Sequence, residues 1–167
     1  MNLSSSYLGL KLKNPFVVGA SPYCDNLTAC RELEAAGASA LVMHSFFEEQ
    51  IEAESRALVH HLESSADSYS EASSFFPDYD DYHLGPTQYI RQLKRLVDML
   101  EIPIIASLNG THLGNWVGYA QEMEDAGASA LELNLYQVPT DPSIPADEIE
   151  ANMVEIVRTV AAAVKLP

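Results

Sequence analysis

An α/β chain built from successive units of a β/α barrel is what this sequence predicts, and three observations predict it. AGASAL occupies Ala36 to Leu41 and recurs at Ala126 to Leu131, each time joining the end of an expected helix to an apolar strand. Strand-like and helix-like segments alternate along most of the chain, the order that places helices on a parallel sheet. The 167 residues are 47% apolar, enough for a real core, but a complete barrel takes about 250 residues.

Residues 6–14 (SYLGLKLKN) alternate Leu8, Leu10 and Leu12 with Gly9, Lys11 and Lys13, which predicts a short half-buried ribbon capping the bottom of the barrel. Residues 16–19 (FVVG) form a continuous β-favouring run ended by Ala20, Ser21 and Pro22, as a buried parallel strand gives way to a loop. Asn26 or Thr28 can cap a first helix through Ala36, with Leu27, Cys30 and Leu33 on one face and Gly37 as its stop. Ala40 to Met43 is the second strand. Some forty residues then precede the next clear helix. Within them, 48–62 favour helix and 63–74 read as an exposed loop of the kind that covers ligands at a barrel top.

From Pro86, the residues Tyr89, Ile90, Leu93, Leu96, Val97 and Leu100 recur at helical spacing. Residues 103–108 (PIIASL) form strand three, and 113–126 form helix three with Trp116, Tyr119, Ala120 and Met123 inward. Residues 130–135 (ALELNL) form strand four. Residues 145–164 form a fourth helix with Ile149, Met153, Ile156, Val157, Val160 and Val164 on one stripe. Lys165-Leu166-Pro167 then resembles Glu101-Ile102-Pro103 before strand three, so a fifth strand is expected next. The chain therefore reads as the N-terminal half of a (β/α)8 TIM barrel, truncated before strand five. A sheet left open in this way invites self-association, and a homo-oligomer is expected.

Composition excludes several functions. A net charge of -15, from 24 acidic and 9 basic side chains, repels a phosphate backbone, so no nucleic-acid partner is expected. No run reaches the roughly 20 apolar residues of a membrane span, and residues 1–15 have no leader pattern, so a cytoplasmic location with no membrane partner is expected. Cys24 and Cys30 have neither redox nor zinc spacing and read as reduced packing residues. Glu48, Glu49, Glu52, Glu54, His60 and His61 lack H-E-x-x-H spacing and read as a solvated face, so no metal is expected. His112, at the strand-three mouth, either titrates near a ligand or begins helix three. Phe75, Phe76, Tyr79 and Tyr82 read as packing of the long loop.

YLGLKLKNPFVVGASP at the start, the paired AGASAL segments and LELNLYQVP after strand four together resemble the dihydroorotate dehydrogenase family of flavin-binding barrels. The resemblance runs along the whole chain and corresponds to the N-terminal half of such a barrel. It implies an FMN-dependent oxidoreductase of pyrimidine metabolism, passing hydride from a dihydropyrimidine-like small molecule to flavin. Ala20 and Ser21 match the small residues against which the flavin packs. Asn134 matches the asparagine of the E-L-N motif, which binds flavin or substrate through a carboxamide that both donates and accepts. Asn109 occupies the same mouth, and Asp78, in FFPDY, falls near a family asparagine that contacts substrate.

The sequence also departs from the family. His44 stands where a lysine near the flavin is usual, and Tyr136, Gln137 and Val138 replace Ser-Cys-Pro or Ser-Ser-Pro. Gln137 cannot accept a proton at neutral pH, which leaves the catalytic base unassigned. The family's strand-five lysine and phosphate-binding loops lie beyond Pro167. The alternative reading is a barrel-derived binding or assembly module that has lost its chemistry.

Overall fold

The computed structural model describes residues 2–47, 86–109, 113–135 and 138–167. Among the described residues, six strands and four helices follow in the order β1 (Ser5–Tyr7), β2 (Leu10–Leu12), β3 (Val17–Val18), α1 (Leu27–Ala35), β4 (Ala40–Phe47), α2 (Pro86–Met99), β5 (Ile104–Asn109), α3 (Leu113–Asp125), β6 (Ala130–Leu133) and α4 (Ala146–Ala163). Strands β3 to β6 form one sheet in sequence order, every pair parallel. The expected half of a β/α barrel is therefore the observed fold. The segment 48–85, including the expected helix at 48–62 and the aromatic run, lies outside the described residues.

The β1–β2 ribbon closes through Leu8 and Gly9, both at positive φ (52° and 77°), the backbone of a two-residue hairpin whose twist suits its strands. Leu12 packs on Ala40, Ile105 and Ala130, which line the concave face near the strand starts. The ribbon thus plugs the bottom, as its alternation predicts. The main core lies on the other face of the sheet. Leu41, Met43, Ile104, Ala106 and Leu108 meet Leu93 and Leu96 of α2, Trp116, Ala120 and Met123 of α3, and Ile156 and Val160 of α4. Each such fully buried aliphatic side chain contributes about 1.5–3 kcal/mol, which outweighs local helix propensity in fixing these elements.

The predicted inner stripes of α2 and α3 are the buried ones, but that of α4 is narrower than its periodicity implies. Val157 is 44% exposed. Helix α4 packs against α3 on one side, and among the described residues no helix covers its other side. Strand two also runs further than expected, to Phe47, whereas strand four ends at Leu133.

The doubled hexapeptide performs one structural operation twice. Gly37 and Gly127 take φ of 110° and 94°, conformations that L side chains rarely adopt. Each sits in the same C-terminal cap. The Gly37 and Ala38 N–H groups donate to the Glu34 and Leu33 carbonyls, and those of Gly127 and Ala128 donate to Glu124 and Met123. Ser39 and Ser129 then donate to Phe16 and Ile104, which seats each new strand beside its predecessor. The equivalence extends beyond the hexapeptide. Leu41 donates to the Pro103 carbonyl and Leu131 to that of Pro167, both at 3.0 Å. The Glu34 carboxylate accepts from the N–H groups of Glu101 and Ile102, and the Glu124 carboxylate from that of Lys165. Lys165-Leu166-Pro167 therefore sits against β6 as Glu101-Ile102-Pro103 sits against β4.

Candidate functional site

Because β3 to β6 are parallel, their C-terminal ends share one edge of the sheet, and at this edge barrel enzymes place their chemistry. Side-chain alternation along β5 puts Ile105, Ser107 and Asn109 on the concave face. On β6 the same face carries Ala130, Glu132 and, just past the strand, Asn134. Strand β4 reaches it by an irregularity. Its pairing with β5 shifts register between Val42 and Ser45, one residue more than β5 spans from Ile105 to Ser107. This bulge brings Ser45, rather than His44, opposite Ser107.

Four polar side chains meet there. The Ser107 hydroxyl, fully buried, donates to Glu132 Oε1 at 2.7 Å and lies 2.9 Å from the Ser45 hydroxyl. Asn134 Nδ2 reaches Ser45 Oγ at 2.6 Å, Ser107 Oγ at 3.0 Å and Glu132 Oε1 at 3.2 Å. One proton assignment serves every group: Ser45 donates to Ser107, Ser107 to Glu132, and the Asn134 amide to the oxygens around it. The amide nitrogen is thereby committed to protein. These bonds fix the orientation of the carboxamide and with it that of its Oδ1 acceptor.

Tyr89 of α2 supports this network from the helix side. Its hydroxyl donates to the Ser107 carbonyl at 3.1 Å and accepts from the Ser107 N–H at 2.9 Å. Those two backbone groups face β4, where the bulge interrupts the ladder, so the phenol supplies what the strand does not. Burial raises the Tyr89 phenol well above its ordinary range, with the Ser107 backbone hydrogen bond opposing, and it stays a neutral donor.

The residue displaced by the bulge joins a different group. His44 packs edge-on against Tyr89, with ring centroids 5.5 Å apart, on the helix side of the sheet. Its Nδ1 lies 3.1 Å from Cys24 Sγ and 3.4 Å from Asp25 Oδ1, both in the single 3-10 turn Pro22–Asp25 after β3. Burial raises the Cys24 thiol above its ordinary range; the His44 N–H donating to the sulfur opposes this and the Asp25 charge adds to it. The thiol donates to the Ser21 carbonyl at 2.9 Å.

The expected site residues are distributed accordingly. Asn134 lies in the concave network. Asn109 ends β5 on the same face. Ala20 and Ser21 follow β3 at the same edge, three strands from Asn134, or roughly 14 Å at about 4.8 Å per strand. Asp78 lies outside the described residues, as do His112, Tyr136 and Gln137. His44 faces Cys24 and Asp25 rather than the network, and its place on the concave face belongs to Ser45. Sequence reasoning passes over Ser107 and Glu132. The signal was available, since both lie two residues before an asparagine already singled out and so share its face of the strand.

The motif that opens the resemblance has a structural role. Asn14 of NPF donates to the Gly37 carbonyl at 2.8 Å and accepts from the Phe16 N–H at 2.9 Å, tying the start of β3 to the cap of α1.

No family model matches the chain. Over 45 residues it is 47% identical to a protein of Aeropyrum pernix named "Putative dihydroorotate dehydrogenase A (fumarate)", a stretch that covers 27% of this chain and 15% of that protein. Among solved structures, a phosphonopyruvate hydrolase complexed with oxalate and magnesium superposes with a TM-score of 0.51 at 19% identity, over 90% of this chain and 44% of that one. A Pseudomonas aeruginosa protein, described as a dihydrodipicolinate synthetase of putative assignment, gives a TM-score of 0.47 at 17% identity, over 91% of this chain and 43% of that one. The chain thus spans less than half the length of these solved relatives. At 19% identity the likeness to the phosphonopyruvate hydrolase is one of architecture, and with the parallel sheet it gives the fold of half a β/α barrel.

Proposed function

We propose that this chain forms the flavin-ring half of an FMN-dependent oxidoreductase resembling dihydroorotate dehydrogenase, acting on a dihydropyrimidine-like substrate. The observation that carries the reading is Asn134, from the E-L-N motif, held by Ser45, Ser107 and Glu132 on the concave face at the C-terminal edge. The partial identity to the Aeropyrum pernix protein supports the same reading.

The acceptors that the network leaves over suit the one N–H at the edge of an isoalloxazine ring. Asn134 Oδ1 and the Glu132 carboxylate can receive that N–H. Small residues leave room for a flat ring, and a Cβ built on Gly19 would meet nothing within 4 Å. Neither α1 nor α4 opens on a glycine-lined turn that offers N–H groups for the phosphate. FMN, when bound, supplies the hydride acceptor. Ser45 and Ser107 orient the asparagine, and Tyr89 keeps Ser107 in register.

The test is a titration of FMN followed by quenching of its fluorescence, with native protein and Asn134→Ala. Saturable binding that weakens about tenfold or more in the variant is expected, as for loss of an oriented hydrogen bond in a water-poor site. Equal binding by both, or none by native protein, would instead favour the non-catalytic binding or assembly module.

A further inference from the structure

The cluster on the helix side of the β4 bulge lies across the sheet from the Asn134 network, and its chemistry points elsewhere. Cys24 Sγ, Asp25 Oδ1 and His44 Nδ1 all lie within 4.8 Å of one another. The N–O separation is 3.4 Å and the S–N separation 3.1 Å. Tetrahedral zinc, with bonds of about 2.3 Å to sulfur and about 2.0–2.2 Å to nitrogen and oxygen, needs ligand separations of roughly 3.4–3.6 Å. The N–O edge already meets that need, the S–N edge would open by about half an ångström, and the S–O edge, which lies within 4.8 Å, would settle near roughly 3.6 Å as the exposed Asp25 side chain turns.

The surroundings suit an ion as well as the distances do. The His44 N–H donates to Cys24 Sγ at 3.2 Å, a contact that stabilises a thiolate. Gln92 Nε2 holds the Cys24 carbonyl at 2.8 Å, and the edge of Tyr89 fixes the imidazole plane, so the ligands are oriented in advance. Cys24 is buried, but the His44 side chain is 39% exposed and that of Asp25 59%, which leaves a solvent side for entry and for a fourth ligand. Among the described residues no lysine or arginine pairs with Asp25. The net charge of -15 draws cations towards the chain.

We propose that Cys24, Asp25 and His44 form a three-ligand site for a borderline-soft divalent cation of the zinc type, with one position open to water. The sulfur and imidazole donors select against magnesium and calcium, which take oxygen sets. On binding, the Cys24 S–H bond breaks and its proton passes to solvent as the sulfur–metal bond forms. The Ser21 carbonyl loses the thiol donor and keeps the Cys24 N–H at 3.3 Å. The ion then staples the turn Pro22–Asp25 to β4.

The test titrates cobalt(II), then zinc as competitor, into tag-free, metal-stripped protein. One cobalt per chain is expected, with a thiolate-to-cobalt charge-transfer band that zinc abolishes, and a higher melting temperature. Cys24→Ser should remove the band. Asp25→Asn, an exposed substitution that leaves the fold alone, should weaken affinity about tenfold or more. Cys30→Ala, whose sulfur lies outside the set, should bind as native protein does. Absence of the band in native protein, or binding unchanged by both Cys24→Ser and Asp25→Asn, overturns the proposal. The Asn134→Ala arm of the flavin titration reads the opposite face of the sheet, so the two readings fail separately.

Discussion

Ser107 is the residue on which the concave face depends. Its hydroxyl links Glu132, Ser45 and Asn134, while its backbone N–H and carbonyl are both held by Tyr89. Tyr89→Phe keeps the ring and removes the hydroxyl, leaving two buried backbone groups without partners. A loss of about 1–3 kcal/mol in urea denaturation is expected, and a neutral result would remove the phenol from the ladder. Burial raises the Cys24, Cys30 and Tyr89 groups above their ordinary values of 9.0, 9.0 and 10.0. Below those values both the folded and the unfolded chain hold the protons, and no difference in stability arises. Above them the unfolded chain ionises first, so stability should fall as pH rises from about 9. Urea midpoints at pH 7.5 and pH 10 measure this, and an unchanged midpoint would contradict the burial of these groups.

At the scale of elements, the two glycines of the repeat separate conformation from space. Both have positive φ, but a Cβ at Gly37 meets nothing within 4 Å, whereas one at Gly127 comes within 3.1 Å of Val97 Cγ1. Gly37→Ala should cost about 1–2 kcal/mol from backbone strain, and Gly127→Ala more. Equal losses in chemical denaturation would contradict the tighter packing at Gly127. The helices and their caps were legible because apolar periodicity and a stop glycine act locally. Two features were not. The β4 bulge carries no glycine or proline to mark it, and it alone decides that Ser45 rather than His44 takes the concave face. The matching of Glu34 with Glu124 is a long-range contact of each carboxylate with backbone N–H groups and leaves no local pattern, whereas the match of Pro103 with Pro167 was read beside the hexapeptide.

Across the whole molecule, the apolar core lies between the sheet and its helices, and the concave face changes from apolar at the ribbon end to polar at the strand ends. Parallel order and the two equivalent caps bring residues from 20 to 134 to one edge, which the alternation of segments predicts. The sheet ends in β3 on one side, with Phe16 67% and Val17 37% exposed, and in β6 on the other. The expected homo-oligomer is tested by light scattering over a wide concentration range: a mass that rises with concentration is expected, and one constant mass of a single chain would contradict it. The identity of the bound ring and its face are tested together by following backbone amide shifts during FMN titration. The largest changes are expected at residues 19–21, 45, 107–109 and 132–134. Changes confined to the helix layer or to Cys24 and His44, or none at all, would contradict this placement.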